Sequence, residues 1–458
     1  MIRFLEQLVI ALWNRLHGTS KRPKDSSATL TLGFRVVEGQ VTNRPVQLSL
    51  IMRAMQTALF GKSGSGKTSF IKNDCALAIR ANRGAFILDL HGDLTPFVLS
   101  TIAAEEEHRQ KDLSDRVIVI SPSDRDMSVG LNPLEGISGD FGRTTEIAEV
   151  LRQHSHLDYL GPRTEELLRN CIVALSANGL TLSDFVPLLT SASFRAKCLA
   201  NTSNAEVRAY FESRYDKASE PMKATTREPI LNKISAFTAD PRFRHIVGQS
   251  RSTFSMKDAM DRGCWVIARL PKGELGGQAL TFASLLFTVI KNAIFTRERR
   301  SFFPLYLDEA QNLVSQSSDI ETVLSESRKF GVGIVAANQF LDQYPTSMRA
   351  AILSVANFVC FQLSSVDAAT LAQMLDGGKA LAEHIKNLPP RHFILKSGSE
   401  HWIEARVPEI VDPKTSYADL LNRSRAIYAR PRAEIEREIA NRHAIVTGKS
   451  EDDLHGWD

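Results

Sequence analysis

Apolar positions along this chain follow two rhythms. In 29–135 and again in 258–412, short continuous apolar runs alternate with stretches in which apolar residues recur every three or four positions. Met55-Gln-Thr-Ala-Leu-Phe60, Gly84-Ala-Phe-Ile-Leu-Asp89 and Arg116-Val-Ile-Val-Ile-Ser121 are of the first kind and predict buried strands. Between them, residues 69–80 place Phe70, Ile71, Ala76 and Ile79 at helical spacing, and 95–107 reads as a second helix. The alternation resumes with Cys264-Trp-Val-Ile-Ala-Arg-Leu270, a helix over 279–296, and Phe302-Phe-Pro-Leu-Tyr-Leu307. Val332-Gly-Ile-Val-Ala-Ala337 and Phe358-Val-Cys-Phe-Gln-Leu363 complete the series. Strand–helix–strand succession predicts an α/β fold with a mostly parallel sheet, whose ligands belong at the C-terminal ends of the strands. Two runs near the end, Arg391-His-Phe-Ile-Leu395 and Trp402-Ile-Glu-Ala-Arg-Val407, predict an antiparallel hairpin. Shorter alternating runs over 29–50 predict small strands leading into this domain.

Between the two α/β stretches, 136–257 carries hardly a convincing strand and reads as an inserted all-α domain. Pro162 follows Gly161 at the opening of a helix that aligns Leu167, Leu168, Cys171, Ile172 and Leu175 on one face. Thr181-Leu-Ser-Asp184 has the composition of a helix N-cap. At the front, 1–28 reads as an amphipathic helix (Phe4, Leu5, Leu8, Leu12, Leu16) and a basic linker. Arg3, Glu6, Asn14 and Arg15 make it too short and too charged to span a membrane, so docking on protein is expected, and no transmembrane helix is predicted elsewhere. The last segment, 413–458, reads as a charged helix interrupted at Pro431, with a frayed end.

Composition narrows the class without choosing within it. A length of 458 residues implies two or three units, and 43% hydrophobic with 24% charged residues is ordinary for a soluble globular protein. A net charge of +4 permits a nucleic-acid partner without requiring one, so any DNA contact must come from local placement of Lys and Arg. The five cysteines are scattered and form no C-x-x-C pair, which excludes a disulfide framework and fits a reducing cytoplasm. Among eleven histidines the closest pair, His154 and His156, reads as solvated polar residues.

Chemistry concentrates where a strand meets a helix. Gly61-Lys62-Ser63-Gly64-Ser65-Gly66-Lys67-Thr68 satisfies G-x-x-x-x-G-K-[ST] at every required position. Its glycines let backbone N–H groups turn inward on phosphate, and the helix that follows adds its positive end. Lys67 is expected on the β- and γ-phosphates of ATP and Thr68 on Mg²⁺. Leu305-Tyr-Leu-Asp308-Glu309 ends an apolar run in two carboxylates. Asp308 is expected near Mg²⁺, through water, and Glu309 to polarise the attacking water. Gln339, just past the strand over 332–337, is placed beside Asp308 and would sense the γ-phosphate. Arg328, on an expected helix over 320–330, reads equally as an arginine delivered in trans to the transferring phosphoryl group or as a surface residue. Lys272 in Pro271-Lys-Gly-Glu-Leu-Gly-Gly277, Arg163 and Arg152 are candidate DNA contacts, with a solvated surface charge the plainer reading of each.

With the phosphate loop stand Asp89-Leu-His-Gly-Asp93, Gly130-Leu-Asn-Pro-Leu-Glu135, Leu307-Asp-Glu-Ala-Gln-Asn312, Leu324-Ser-Glu-Ser-Arg-Lys-Phe-Gly331 and Ala337-Asn-Gln-Phe340, in that order. Over 30–421 this set resembles the HerA/FtsK superfamily of DNA-pumping ATPases, and within it the TraG/TraD-type coupling proteins of conjugative type IV secretion. The resemblance implies a RecA-like P-loop ATPase domain carrying an all-α insertion, assembled as a homo-oligomeric ring, a hexamer, with ATP at subunit interfaces. It implies that Arg328 reaches the neighbour's nucleotide, that Gln339 couples hydrolysis to movement, and that DNA passes through the central channel. Partners would include a relaxase or relaxosome and secretion-channel proteins. Typical coupling proteins carry N-terminal transmembrane helices, and no such stretch is read here. The expected location is therefore cytoplasmic, peripheral at the inner face of the membrane through partners. Alternatives are a protein-handling secretion ATPase, a cargo-docking adaptor ring, and a HerA-like DNA-processing motor working with a nuclease.

Overall fold

The strand β3 (Thr57–Phe60) is buried along its whole length, as are β4 (Ala85–Asp89), β8 (Phe303–Leu307), β9 (Val332–Asn338) and β10 (Asn357–Cys360), and each is an apolar run whose polar residues, Thr57, Asp89, Asn338 and Asn357, stand at strand ends. Continuous apolar runs of this kind require cover on both faces, which is the condition of a parallel sheet. The structure, a computed structural model, describes residues 29–137, 139–153, 161–314 and 319–444. The amphipathic segment expected over 1–28, the pair His154 and His156, and the end of the tail lie outside the described residues.

The remaining strands are β1 (Thr29–Val37), β2 (Gln40–Ser49), β5 (Val117–Ile120), β6 (Met127–Val129), β7 (Trp265–Arg269), β11 (His392–Ser397), β12 (Ile403–Arg406) and β13 (Ala429–Pro431). Eleven of the described strands form one sheet in the order β2-β1-β12-β11-β10-β3-β9-β8-β4-β7-β5. From β10 to β5 every pairing is parallel, and from β10 back to β2 every pairing is antiparallel. The expected mostly parallel α/β sheet is therefore present, extended by an antiparallel wing. The small strands expected over 29–50 are one long hairpin that joins the wing by pairing β1 with β12. Register does the positioning. Phe60 on β3 lies opposite Asn338 on β9, Leu307 on β8 opposite Ala336, and Asp89 on β4 opposite Arg269 on β7. The residues that leave these strands thus emerge side by side along one edge.

One sheet face is covered by the helices Lys67–Arg80 and Leu94–Arg109, packed with Val98, Ile102 and Trp265 into one core. The other is covered by the helix Gln278–Thr296, whose Phe282, Leu286 and Ile290 belong to a second core. This helix is long and apolar enough to cross a membrane, a point the sequence reading missed. However, 67% of its most apolar window is buried inside the protein, so its hydrophobicity belongs to the core.

The second core continues without a break into the residues between β6 and β7, where every described regular element is helical. Pro162–Ala177 opens on Pro162 as expected, and Thr181 and Asp184 form a reciprocal capping box. The helix Met256–Arg262 runs across the expected boundary at 257. In the tail, the interruption at Pro431 separates the helices Ala418–Tyr428 and Arg432–Ala444 by the three-residue strand β13, which pairs with β6. The second of these helices is fixed to the helical block. Arg442 and His443 reach the fully buried Asp184, and Glu436 accepts from Arg244 and His245. All five cysteines are buried and free, as their scatter implied.

Candidate functional site

The loop after β3 is held by its backbone. Gly61 N–H donates to the Asn338 carbonyl at 3.2 Å, Lys62 N–H to Gln362 at 2.9 Å, and Arg391 N–H to Ser65 at 2.8 Å. Gly64 and Gly66 take φ of +75° and +124°, a region that side-chain-bearing residues rarely occupy. Gly66 also caps the helix Lys67–Arg80 and offers no side-chain acceptor, so the first N–H groups of that helix remain free for an anion. A Cβ on Gly66 would lie 2.9 Å from the Arg391 Cα and 2.9 Å from the Phe361 ring. Gly66→Ala should therefore weaken nucleotide binding by about 5- to 150-fold, the equivalent of the ~1–3 kcal/mol that a forbidden backbone conformation costs. A titration with a fluorescent ATP analogue checks this, and parent-like affinity would contradict it.

Lys67 folds back on the loop, donating to the carbonyls of Gly61 and Lys62. Burial lowers its pKa, opposed by the charges of Asp308 and Glu309. Thr68 stands next to it on a cleft of about 340 Å³ that also takes in Ser63, Asp308, Glu309 and Gln339. Lys62 and Ser65 serve the loop itself, since the Lys62 carbonyl accepts from the hydroxyl of Ser65 at 2.7 Å.

Opposite the loop is the end of β8. Burial raises the pKa of the Asp308 carboxyl, and neighbouring Glu309 adds to this, while His91 and Lys67 oppose it. Glu309 sits at φ +54°, an uncommon conformation for this residue type that turns its side chain across the cleft. Its carboxylate is held by three groups. Lys272 Nζ and Asn312 Nδ2, the latter at 2.8 Å, donate to Oε2, and His91 Nε2 lies 3.1 Å from Oε1. Burial favours the neutral acid, but the hydrogen bond and charge of Lys272 prevail and hold Glu309 below the usual carboxylate range. Gln339 follows β9 as expected, lines the same cleft, and is anchored through its N–H to Gln343 Oε1 at 3.2 Å.

The helix expected over 320–330 needs correction, and the candidate DNA contacts can be placed. The helix expected over 320–330 stops at Glu326, and Arg328 lies in a 3₁₀ turn, Ser327–Phe330. Buried Ser327 forces the break, because its hydroxyl bonds to Val332 and accepts from Gln56 at 2.9 Å. Arg328 is exposed and does not line the cleft of its own chain. Lys272 is not a free loop cation, since its ammonium is on Glu309. Arg152 pairs with Glu149 on its own helix, whereas Arg163 is exposed and donates to Met222 Sδ at 3.4 Å.

The sequence reading missed His91, Asn312 and Arg391. Asn312 stands three residues after Glu309, one helical turn, and that spacing was a usable signal. The stretch Asp89-Leu-His-Gly-Asp93 now has a physical account. Asp89 accepts from the N–H groups of Gly92 and Thr95 and from the Thr95 hydroxyl at 2.6 Å, which fixes the turn. That turn carries His91 to Glu309. No local rule announces such a contact, because it spans two strands.

The fold is matched by solved structures. Among solved structures, the bacterial conjugative coupling protein TrwBdeltaN70, unbound, superposes with a TM-score of 0.58 at 14% identity, covering 86% of this chain and 93% of that one. The plasmid coupling protein TrwB in complex with ADP and Mg²⁺ gives 0.56 at 16% identity, covering 85% and 97%. VirB4 of Thermoanaerobacter pseudethanolicus gives 0.55 at 14% identity, covering 86% and 99%. No curated protein matches the chain. The model of the type IV secretion-system coupling protein DNA-binding domain matches residues 45–388, and the chain therefore belongs to that family.

Proposed function

We propose that this protein is an ATP-driven DNA translocase that works as a ring and couples DNA to conjugative type IV secretion. The observation that carries the reading is the meeting of the phosphate loop, Asp308, Glu309 and Gln339 on one cleft at the C-terminal strand ends. Such a cleft can bind a nucleoside triphosphate and hydrolyse it. The free N–H groups after Gly66 and the ammonium of Lys67 would take the phosphates, Lys67 exchanging its loop carbonyls for phosphate oxygens. Glu309 would orient and deprotonate the attacking water, and Gln339 would report the γ-phosphate to β9.

The donor set also suits Mg²⁺. The Thr68 hydroxyl and the Asp308 carboxylate are hard oxygen donors on one cleft, and burial alone leaves that carboxylate short of a cation. When bound, Mg²⁺ neutralises charge developing on the phosphates. Exposure of Arg328 outside its own cleft supports a role in trans, at the nucleotide of the next subunit in a hexameric ring. Relaxase or relaxosome and secretion-channel proteins would be the partners, and they would hold the ring at the cytoplasmic face of the membrane.

The test is steady-state ATP hydrolysis with and without single- and double-stranded DNA, with Lys67→Ala as the blank. Hydrolysis by the parent should rise with DNA and be absent in the variant. A rate indifferent to both strand forms would overturn the DNA reading in favour of a protein-handling ATPase.

A further inference from the structure

One group that holds Glu309 comes from a different strand, by way of a glycine-rich turn. Lys272 is the first residue of a one-turn helix, Lys272–Leu275, that follows β7, two strands from β8 in the sheet. Its N–H is fixed to the Leu90 carbonyl at 2.9 Å, but the loop beyond it contains Gly273, Gly276 and Gly277. A Cβ added at any of these three would meet nothing within 4 Å, so one side of the loop is open. The Lys272 side chain is 30% exposed while its Glu309 partner is 12% exposed. The ammonium therefore bridges a sheltered carboxylate and the outside. Arg269 lies on the same rim, close to the Gly92 turn, and Arg242 reaches the Glu274 carbonyl at 3.3 Å.

We infer that Lys272 is a positioning residue that restrains Glu309 until a phosphate of a nucleic-acid strand on the outer side of this loop competes for its ammonium. The inference rests on the ATPase reading above. With Lys272 in place, Glu309 gives one oxygen to Lys272 and Asn312 and the other to His91, and the paired carboxylate is a weaker base for water. An ammonium is a compact charge with three donors, and a strand of phosphates is the partner best able to draw it outward. Glu309 then keeps Asn312 and His91 as guides and regains an oxygen for water. Hydrolysis becomes conditional on the strand, through one side chain.

The full-length chain decides this in an ATPase assay, with a mixed-sequence single-stranded oligonucleotide as the probe. Removing one charge-assisted hydrogen bond from Glu309 in Lys272→Met should raise the DNA-free kcat about tenfold, with KM for ATP little changed. The ratio of DNA-stimulated to DNA-free rate should fall towards one. Lys272→Arg keeps the cation and should keep a stimulation ratio well above one. A DNA-free rate in Lys272→Met that stays at the parent level or falls, with the parent's stimulation ratio preserved, overturns the inference and leaves the motor reading intact. A parent that ignores the oligonucleotide overturns the release by phosphate together with the DNA reading. In that case a raised rate in Lys272→Met still identifies the restraint on Glu309.

Discussion

Glu309→Gln should bind ATP like the parent and turn it over about 10²- to 10⁴-fold more slowly, the range that a lost general base accounts for. The substitution preserves volume and keeps an oxygen for the Asn312 amide, which now donates at 2.8 Å. It removes the negative charge that Lys272 neutralises and the capacity to take a proton from water. Binding should survive because the loop groups that would hold phosphate, Lys67 and the N–H groups after Gly66, make no hydrogen bond to Glu309. Equilibrium binding of a fluorescent ATP analogue and single-turnover hydrolysis separate the two effects. Turnover at the parent rate would remove Glu309 from the mechanism.

Asp74→Ala should cost about 3–5 kcal/mol of stability, read as a fall in the denaturant midpoint, because it strands a buried charge. Asp74 lies on the helix behind the phosphate loop and is 1% exposed. It pairs with Arg53, which is equally buried, and accepts from the Tyr306 hydroxyl at 2.9 Å. Burial opposes charge on Arg53, but Asp74 and Tyr306 more than compensate and raise its pKa. Arg53 also stands over the Phe302 ring at 5.5 Å. The trio ties the helix Lys67–Arg80 to β8, two residues before Asp308, so its loss should loosen the site as well as the fold. The double variant Arg53→Met with Asp74→Leu should recover most of the stability, since well-packed apolar residues replace buried ion pairs at little cost. A single variant as stable as the parent would show that Arg53 finds another partner.

What was legible in the sequence was whatever a local pattern encodes. Strands β3, β4, β8 and β9 are continuous apolar runs with polar residues only at their ends, and the helix after Gly66 repeats at 3.6 residues, so both were readable, as was their meeting at one edge. The Thr181–Asp184 capping box was readable because its partners are three residues apart. What was not readable depends on pairing between distant segments. Nothing in 29–37 announces a partner near 405, and three residues around Arg430 are too few to show a strand period before β6 accepts them. The turn at Arg328 follows from the burial of Ser327 beneath Gln56, a neighbour 271 positions away. The site divides in the same way. Gly61, Asp308, Glu309 and Gln339 sit at strand ends and Lys67 and Thr68 at the start of the helix that follows, where motif and period agree. His91 and Lys272 owe their places to the order of strands in the sheet, and strand order is the least local property of the fold.

The strap formed by β13 and the helix Arg432–Ala444 has a mechanical meaning. It starts from its pairing with β6, in a two-stranded sheet of its own, and is pinned to the helical block by buried Asp184 and by Glu436. With one apolar core running from the sheet into that block, the two are braced at both ends like the members of a truss. A load applied to the helical block would then be carried by packed side chains into the strands that carry the phosphate loop and Glu309.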